Sequence, residues 1–406
     1  MDTFGVLLFL YGLASLHLTH SNLCTIEDHF NVMDYGATSD GYTDDSRAFV
    51  EAWNAACSAP TQYPKVIVPP EKTFLVNPVI FHGPCDASTI NFEISGRLMA
   101  PKSPSLWDGK DASQWLGFKD VSGLNVDGFG SIDGQGKAWW DQSCRYHPQL
   151  INCTKLAPTA LKFISCNGSS VSNLNFVNSS QTHILVTGCN SFNINNVLID
   201  SPQNSPNTDG IHIHSSQQLV ITNSRIRSGD DCISIGDHNS NIQIANVECG
   251  PGHGISIGSL GKSRNYVNVE KIHVTNAFFN RTTNGARIKT WQVGRGYVRD
   301  VVFENLVFYS VKNPIIIDQN YCDVRDACRE QVTGVQISNV SYKEIYGTST
   351  TDIAINLNCS RSVPCRGIWM ESIQLTSANA GRKVTASCAS AYGQEIDVVP
   401  YPCLLD

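Results

Sequence analysis

The sequence is poor in charge: only 16% of its 406 residues are Asp, Glu, Lys or Arg, against 41% that are hydrophobic. That balance excludes a disordered or collagen-like chain and describes a globular protein with a large core. No Pro/Ser-rich linker interrupts it, so one domain is expected over residues 22–406. The apolar stretch "FGVLLFLYGLASL" at 4–16 is too short to cross a bilayer and has the length of a secretory signal core, although "MDTF" before it lacks Lys and Arg. A cleaved signal peptide is expected at 1–21. Zinc-type spacing is also missing. Of the fifteen cysteines, the close pairs Cys322/Cys328, Cys359/Cys365 and Cys388/Cys403 have neither CxxC spacing nor attendant histidines, so disulfides in an oxidising compartment are expected instead. The odd count leaves one thiol or an intermolecular bond.

Sequons at Asn152, Asn167, Asn178, Asn280, Asn339 and Asn358 agree with a secreted, extracellular chain. The net charge of -7 disfavours polyanions overall, and no nucleic-acid partner is expected. Nor is a membrane partner once the signal is removed. A monomer is expected.

Between the strand-like segments there are no amphipathic runs of 10 to 15 residues, which excludes βαβ units. A repeat is present instead. "VSNLNF", "INNVLI", "ITNSRI", "IANVEC", "VEKIHV", "FENLVF" and "ISNVSY" share one skeleton, with third residues Asn173, Asn196, Asn223, Asn246, Lys271, Asn305 and Asn339. Their differences of 23, 27, 23, 25, 34 and 34 indicate a solenoid. A second series, "ILV" at 184, "IHI" at 211, "ISI" at 233, "ISI" at 255 and "III" at 315, supplies another strand per coil. Short Ile/Val strands separated by Asn, Ser and Gly turns predict an all-β protein, a single right-handed parallel β-helix. The segment 43–57 reads as an amphipathic helix with Thr43 or Asp44 as N-cap and Phe49, Val50, Trp53 and Ala56 on one stripe, suited to capping the N-terminal end. Helix capping also accounts for Asp40, Asp44 and Asp45 better than a calcium site does.

The same period aligns chemistry. Because 231 minus 209 and 253 minus 231 both equal 22, Asp209, Asp231 and His253 fall in one column, each before a small residue and an Ile-x-Ile strand. Coils stack roughly 4.8 Å apart, so the three share one corner with Asp230 beside them. Asn284 continues the column, setting Arg287 and Lys289 on alternate, outward positions of the next strand. A bend at Gly229 is expected to bring Asp231 to the cleft, while strand alternation points Asp230 outward. Clustered carboxylates raise the pKa of one of their number, as glycosidic bond cleavage requires of a proton donor. Arg287 and Lys289 suit a carboxylate on the substrate. His212 and His214 are read as structural or rim residues, and a Cys232–Cys249 disulfide as a brace for the bend.

Together "SPNTDG" (205–210), "GDDC" (229–232), "CGPGHGISIGSLG" (249–261) and "RIKTW" (287–291) resemble the polygalacturonases of glycoside hydrolase family 28, of the plant secreted type. The similarity runs from "FNVMDYGA" at Phe30 to the Cys-rich C-terminus. It implies a parallel β-helix that hydrolyses α-1,4-linked galacturonan, a pectic polysaccharide, with inversion and with no metal or other cofactor. Asp230 then resembles the general acid, Asp209 and Asp231 the pair that activates water, and His253 the residue supporting the acid's protonation. Arg287 and Lys289 resemble galacturonate carboxylate binders, and Asn207 and Tyr321 match further substrate positions.

Inversion calls for carboxyl groups about 6.5–9.5 Å apart, hence a diagonal arrangement across coils. A rhamnogalacturonan hydrolase would share fold and acids, but both basic residues of "RIK" favour homogalacturonan. A non-catalytic wall-binding β-helix would be expected to lack at least one acid. A pectate lyase would need calcium and an arginine base. Residues 321–349 lean toward endo-acting plant members over exo-acting ones.

Overall fold

A computed structural model describes residues 28–406 except 108, 152, 323–327 and 330. The expected signal peptide, Cys24 and the Asn152 sequon lie outside the described residues, as does part of the 321–349 stretch. The chain winds into a right-handed parallel β-helix in which every ladder pairing between strands among the described residues is parallel. An 11-stranded sheet takes one strand from each successive coil, and a second sheet wraps the remaining sides.

Inward columns give the reason for this winding. On the larger sheet Phe92, Val126, Val171, Ile194, Ile221, Ile244, Val274, Phe303, Tyr342 and Met370 are successive cross-strand partners. All are buried. Each such aliphatic or aromatic side chain contributes about 1.5–3 kcal/mol on removal from water, and a slip of one residue would turn the whole column outward. Burial therefore sets the register, and with it every side chain on the outer face.

The helix α1 (Ser46–Cys57) caps the N-terminal end as expected. Phe49 meets Phe74 edge-on at 5.4 Å between centroids, and Trp53 packs on Phe81, Phe92 and Phe118. The capping position itself differs from both expected residues: it is Asp45, whose carboxylate turns back to the Thr38 and Ser39 amides. Asp44 reaches the first-turn amide of Ser46 at 3.1 Å instead. A second short helix, Lys137–Asp141, carries no strong periodicity in the sequence and was not expected.

The Asn ladder is real but changes membership after Asn246. Its hydrogen bonds run Asn196 to Asn173, Asn246 to Asn223, Asn276 to Asn246 and Asn305 to Asn276. Lys271 and Asn339 belong instead to a neighbouring turn, where both also have left-handed backbones, and Asn339 bonds Asp300. Two turns per coil favour left-handed Asn, and spacing alone does not separate them.

Among the described residues six disulfides form, Cys57–Cys85, Cys144–Cys153, Cys232–Cys249, Cys322–Cys328, Cys359–Cys365 and Cys388–Cys403. The single leftover thiol is corrected: Cys166 and Cys189 are both free and buried. They sit one above the other in adjacent coils, the Cys166 amide donating to Cys189 Sγ at 3.2 Å, and fill space as small apolar groups.

Candidate active site

Five strands of the 11-stranded sheet carry the site: β1 (Ile211–His214), β2 (Ile233–Ile235), β3 (Ile255–Leu260), β4 (Asn284–Trp291) and β5 (Asn313–Tyr321). Ile211, Ile233, Ile255, Ala286 and Ile315 pair in order and point into the core. The next position along each strand must then face outward, which aligns His212, Ser234, Ser256 and Arg287 over the outer face. The turns entering β1 to β4 extend the same register through Asp209, Asp231, His253 and Asn284, whose amide Nδ2 bonds the His253 carbonyl at 3.0 Å.

The turn before β2 owes its shape to close backbone approach. A Cβ on Gly229 would lie 1.9 Å from the Ser205 carbonyl oxygen, so only glycine fits there. Residues 229 and 230 form a bend outside β2, and strand alternation does not aim Asp230, contrary to expectation. Hydrogen bonds aim it. Asp230 Oδ1 accepts from His253 Nδ1 at 2.8 Å and from the Asp231 amide at 2.9 Å, while Oδ2 faces Asn207 Nδ2 at 3.4 Å and Arg145 Nη2 at 4.0 Å. The Cys232–Cys249 disulfide braces this turn against the neighbouring coil, as expected.

Asp231 is the more deeply buried of the adjacent pair. Its Oδ1 accepts from Arg287 Nη2 at 2.6 Å and Ser256 Oγ at 2.9 Å, and its Oδ2 from Lys289 Nζ at 2.9 Å. Burial opposes ionisation, but the Arg287 and Lys289 charges outweigh it and hold the carboxyl at about 2. The two cations expected to bind a substrate carboxylate are thus paired with Asp231. Asp209 has the reverse environment. An edge of it stays open to the cleft, yet the surrounding protein desolvates its carboxyl, and the charges of Asp230 and Asp231 add to this, raising its pKa well above the ordinary carboxylate range. Ser234 Oγ donates to Asp209 Oδ2 at 2.7 Å. The raised group expected from clustered acids is thus Asp209.

The cleft that gathers these residues holds about 900 Å³ and is also lined by Arg145, Tyr146, His212, Lys262 and Tyr321. Asn207, Asp209, Asp230, Asp231, His253, Arg287, Lys289 and Tyr321 all come together here. Tyr321 lies 5.6 Å from Lys289 Nζ and packs edge-on against Trp291. Four cations (Arg145, Lys262, Arg287, Lys289) line a cleft in a chain of net charge -7, the local concentration that a polyanion would require.

Sequence reasoning missed several residues. His212 takes the structural of its two expected roles and also lines the cleft: its Nδ1 bonds Ser234 Oγ at 2.7 Å, a link to Asp209 that the spacing did not give, and burial lowers its pKa to about 4. Ser234 and Ser256 were legible in principle, as the outward residues between paired isoleucines. His183 lies buried behind Asp209, with Nδ1 on the Asp209 carbonyl at 2.9 Å and Nε2 on Ser201 Oγ at 2.8 Å. Arg145 arrives from a loop and carried no signal.

Asp230, Asp231 and His253 present ligand-type atoms within 4.8 Å of one another. Asp231 already accepts from two cations and Ser256, and Asp230 faces His253, so the lone pairs a metal would need are engaged. The donor set suits a proton network better than a metal ion.

The family model for glycosyl hydrolases family 28 matches residues 57–395. Polygalacturonase QRT2 of Arabidopsis thaliana is 44% identical over 361 residues, covering 89% of this chain and 81% of that protein. Among solved structures, the endo-xylogalacturonan hydrolase from Aspergillus tubingensis superposes with a TM-score of 0.75 at 24% identity, over 87% of this chain and 94% of that one. A hyperthermoactive exopolygalacturonase from Thermotoga maritima gives 0.73 at 19% identity, over 91% and 90%. At those identities the structural likeness speaks for the fold alone.

Proposed function

The chain belongs to the glycosyl hydrolases of family 28, and we propose that this glycoside hydrolase cleaves α-1,4 bonds between galacturonate residues of homogalacturonan. The observation that carries this reading is one cleft holding three carboxyl groups beside the Arg287–Lys289 pair. Asp230, reached by His253 and open toward Asn207, delivers a proton to the leaving glycosidic oxygen. Asp231, kept ionised by its cations, takes the proton of the attacking water. Asp209, whose burial and acidic neighbours favour its protonated form, orients that water by hydrogen bonding. A galacturonate carboxylate then shares Arg287 and Lys289 with Asp231, while Asn207 and Tyr321 contact the sugars.

The reading extends to an endo-acting, secreted, monomeric enzyme working in the cell wall without a cofactor. Past Tyr321 the cleft continues into a second hollow of about 610 Å³ lined by Gln292, Asn320, Asn358 and Arg361, which gives a polymer room to lie through the site. Inversion follows from the family resemblance. The nearest Asp230 and Asp231 atoms are closer than the usual inverting separation, so the water must sit beside the pair, over Asp231 and Asp209, and not between them.

Product sizing on polygalacturonate tests the reading, with the Asp230→Asn protein alongside. Mixed oligomers are expected from the parent and a rate at least about a thousandfold lower from the variant. Monomer alone at the first time points overturns endo action, and an undiminished Asp230→Asn rate overturns the acid assignment. Proton NMR of the fresh reducing end reads the stereochemistry: the β anomer is expected first, and the α anomer first would make the enzyme retaining.

A further inference from the structure

We propose that Arg145 binds a second substrate carboxylate, on the side of Asp230 away from Arg287 and Lys289, which makes the loop closed by Cys144–Cys153 a determinant of selectivity for unesterified galacturonan. The inference rests on the reading above and adds a residue that no motif identified.

Arg287 and Lys289 are largely buried and directed at Asp231. Arg145 is different. Its side chain is 50% exposed, lines the same cleft, and reaches Asp230 Oδ2 only at 4.0 Å. An exposed ion pair that long is worth little, so the guanidinium keeps most of its capacity for a bidentate partner. Its approach is also distinct. Arg287 and Lys289 come from β4, later along the coil stack, whereas Arg145 comes from a loop packed beside Pro206 and Asn207, on the earlier side. A galacturonan lying across Asp230 therefore meets cations on both sides of the bond to be cleaved.

The loop is built to hold that position. The disulfide Cys144–Cys153 closes it, and backbone bonds from Cys144 N to Thr154 O at 2.9 Å and Thr154 N to Gln142 O at 2.7 Å pair its two ends. The preceding helix is fastened by Trp140 Nε1 to the Ser179 carbonyl and by the edge-on contact of Trp139 with Trp107. Gln181 Oε1 accepts from the Ala157 amide at 3.1 Å on the returning segment. A loop backbone held in place before substrate arrives leaves only the arginine side chain to be ordered on binding.

The test compares the parent with Arg145→Ala and Arg145→Lys on polygalacturonate and on highly methyl-esterified pectin, at low and high salt. Circular dichroism and melting confirm that each variant is folded. For Arg145→Ala, KM on polygalacturonate is expected to rise about tenfold or more, with kcat within a few-fold of the parent and a weaker dependence of KM on salt. On esterified pectin the parent and variant should differ little, and Arg145→Lys should recover part of the affinity. An active parent whose KM is unmoved by Arg145→Ala removes the inference alone. So does an equal loss on both substrates, which would mark a merely structural role. A parent that leaves polygalacturonate intact removes the functional reading and this inference together.

Discussion

Ser234 and Ser256 are cross-strand partners one coil apart, and each relays a hydrogen bond to a different aspartate. Ser234 joins His212 to Asp209, and Ser256 joins Arg287 Nε to Asp231. The two relays have the same geometry and opposite electrostatics. Burial keeps the imidazole at the head of the first neutral, and the Ser234 hydrogen bond and the Lys289 charge do not outweigh the desolvation of Asp209. The second is headed by a guanidinium, with Lys289 adding a further charge. Adjacent coils thus drive Asp209 and Asp231, the two carboxyl groups assigned to the water, apart in pKa.

Lys289→Met should move the acid limb of the pH profile. Lys289 is one of the charges that hold Asp231 at about 2, and its loss removes both a charge and a hydrogen bond that oppose burial. Asp231 then protonates at higher pH, and the acid limb of kcat/KM is expected to shift upward by about a unit or more. Full pH–rate curves for both proteins check this; an unmoved limb would dissociate Asp231 from the rate.

Acid should destabilise the fold through buried histidine. His183 is held at about 4 by burial, against 6.5 in an open chain, so below pH 6.5 the unfolded state binds a proton that the folded state does not. Stability therefore falls as pH drops from 6.5 toward 4, by up to about 3 kcal/mol from this group, at about 1.4 kcal/mol per unit. His212 acts in the same direction. Urea melts at pH 7 and 4.5 should show His183→Gln losing about 2 kcal/mol less than the parent over that range. Equal losses would show that His183 is already free to protonate in the folded protein.

Chelation should leave activity intact. Asp231, the centre of the Asp230–Asp231–His253 cluster, is neutralised by Arg287 and Lys289. Prolonged dialysis against EDTA is expected to leave the rate on polygalacturonate unchanged. Loss of rate restored by a divalent cation would require a different chemistry.

Tyr342→Phe should not weaken the fold. The Tyr342 side chain is fully buried, its ring stacks on Phe303 at 5.4 Å, and its hydroxyl has no hydrogen-bond partner among the described residues. Removing it relieves an unpaired polar group that costs about 1–3 kcal/mol, so the melting temperature should hold or rise by a few degrees. A drop of several degrees would reveal a hidden partner for the hydroxyl.

The solenoid and the grouping of Asp209, Asp231, His253 and Asn284 were legible because both depend on period, and period is a property of the chain. The Asn ladder shows the limit of that logic. Spacing exchanged Asn276 for Lys271, since two turns in every coil favour the same left-handed residue type.

Arg145 and His183 were illegible for another reason. Arg145 acts from a disulfide-closed loop whose spacing follows no repeat, whereas His183 stands in the repeat, directly before Ile184, and its contact with Ser201 behind Asp209 comes from packing that the spacing does not specify. What the sequence determined by itself was therefore the winding, through alternating burial, and the identity of the acids along one edge of it. Which of those acids has its pKa raised and which lowered was decided only in three dimensions, because desolvation and the nearness of Arg287 and Lys289 are properties of the folded cleft and of no single stretch of chain.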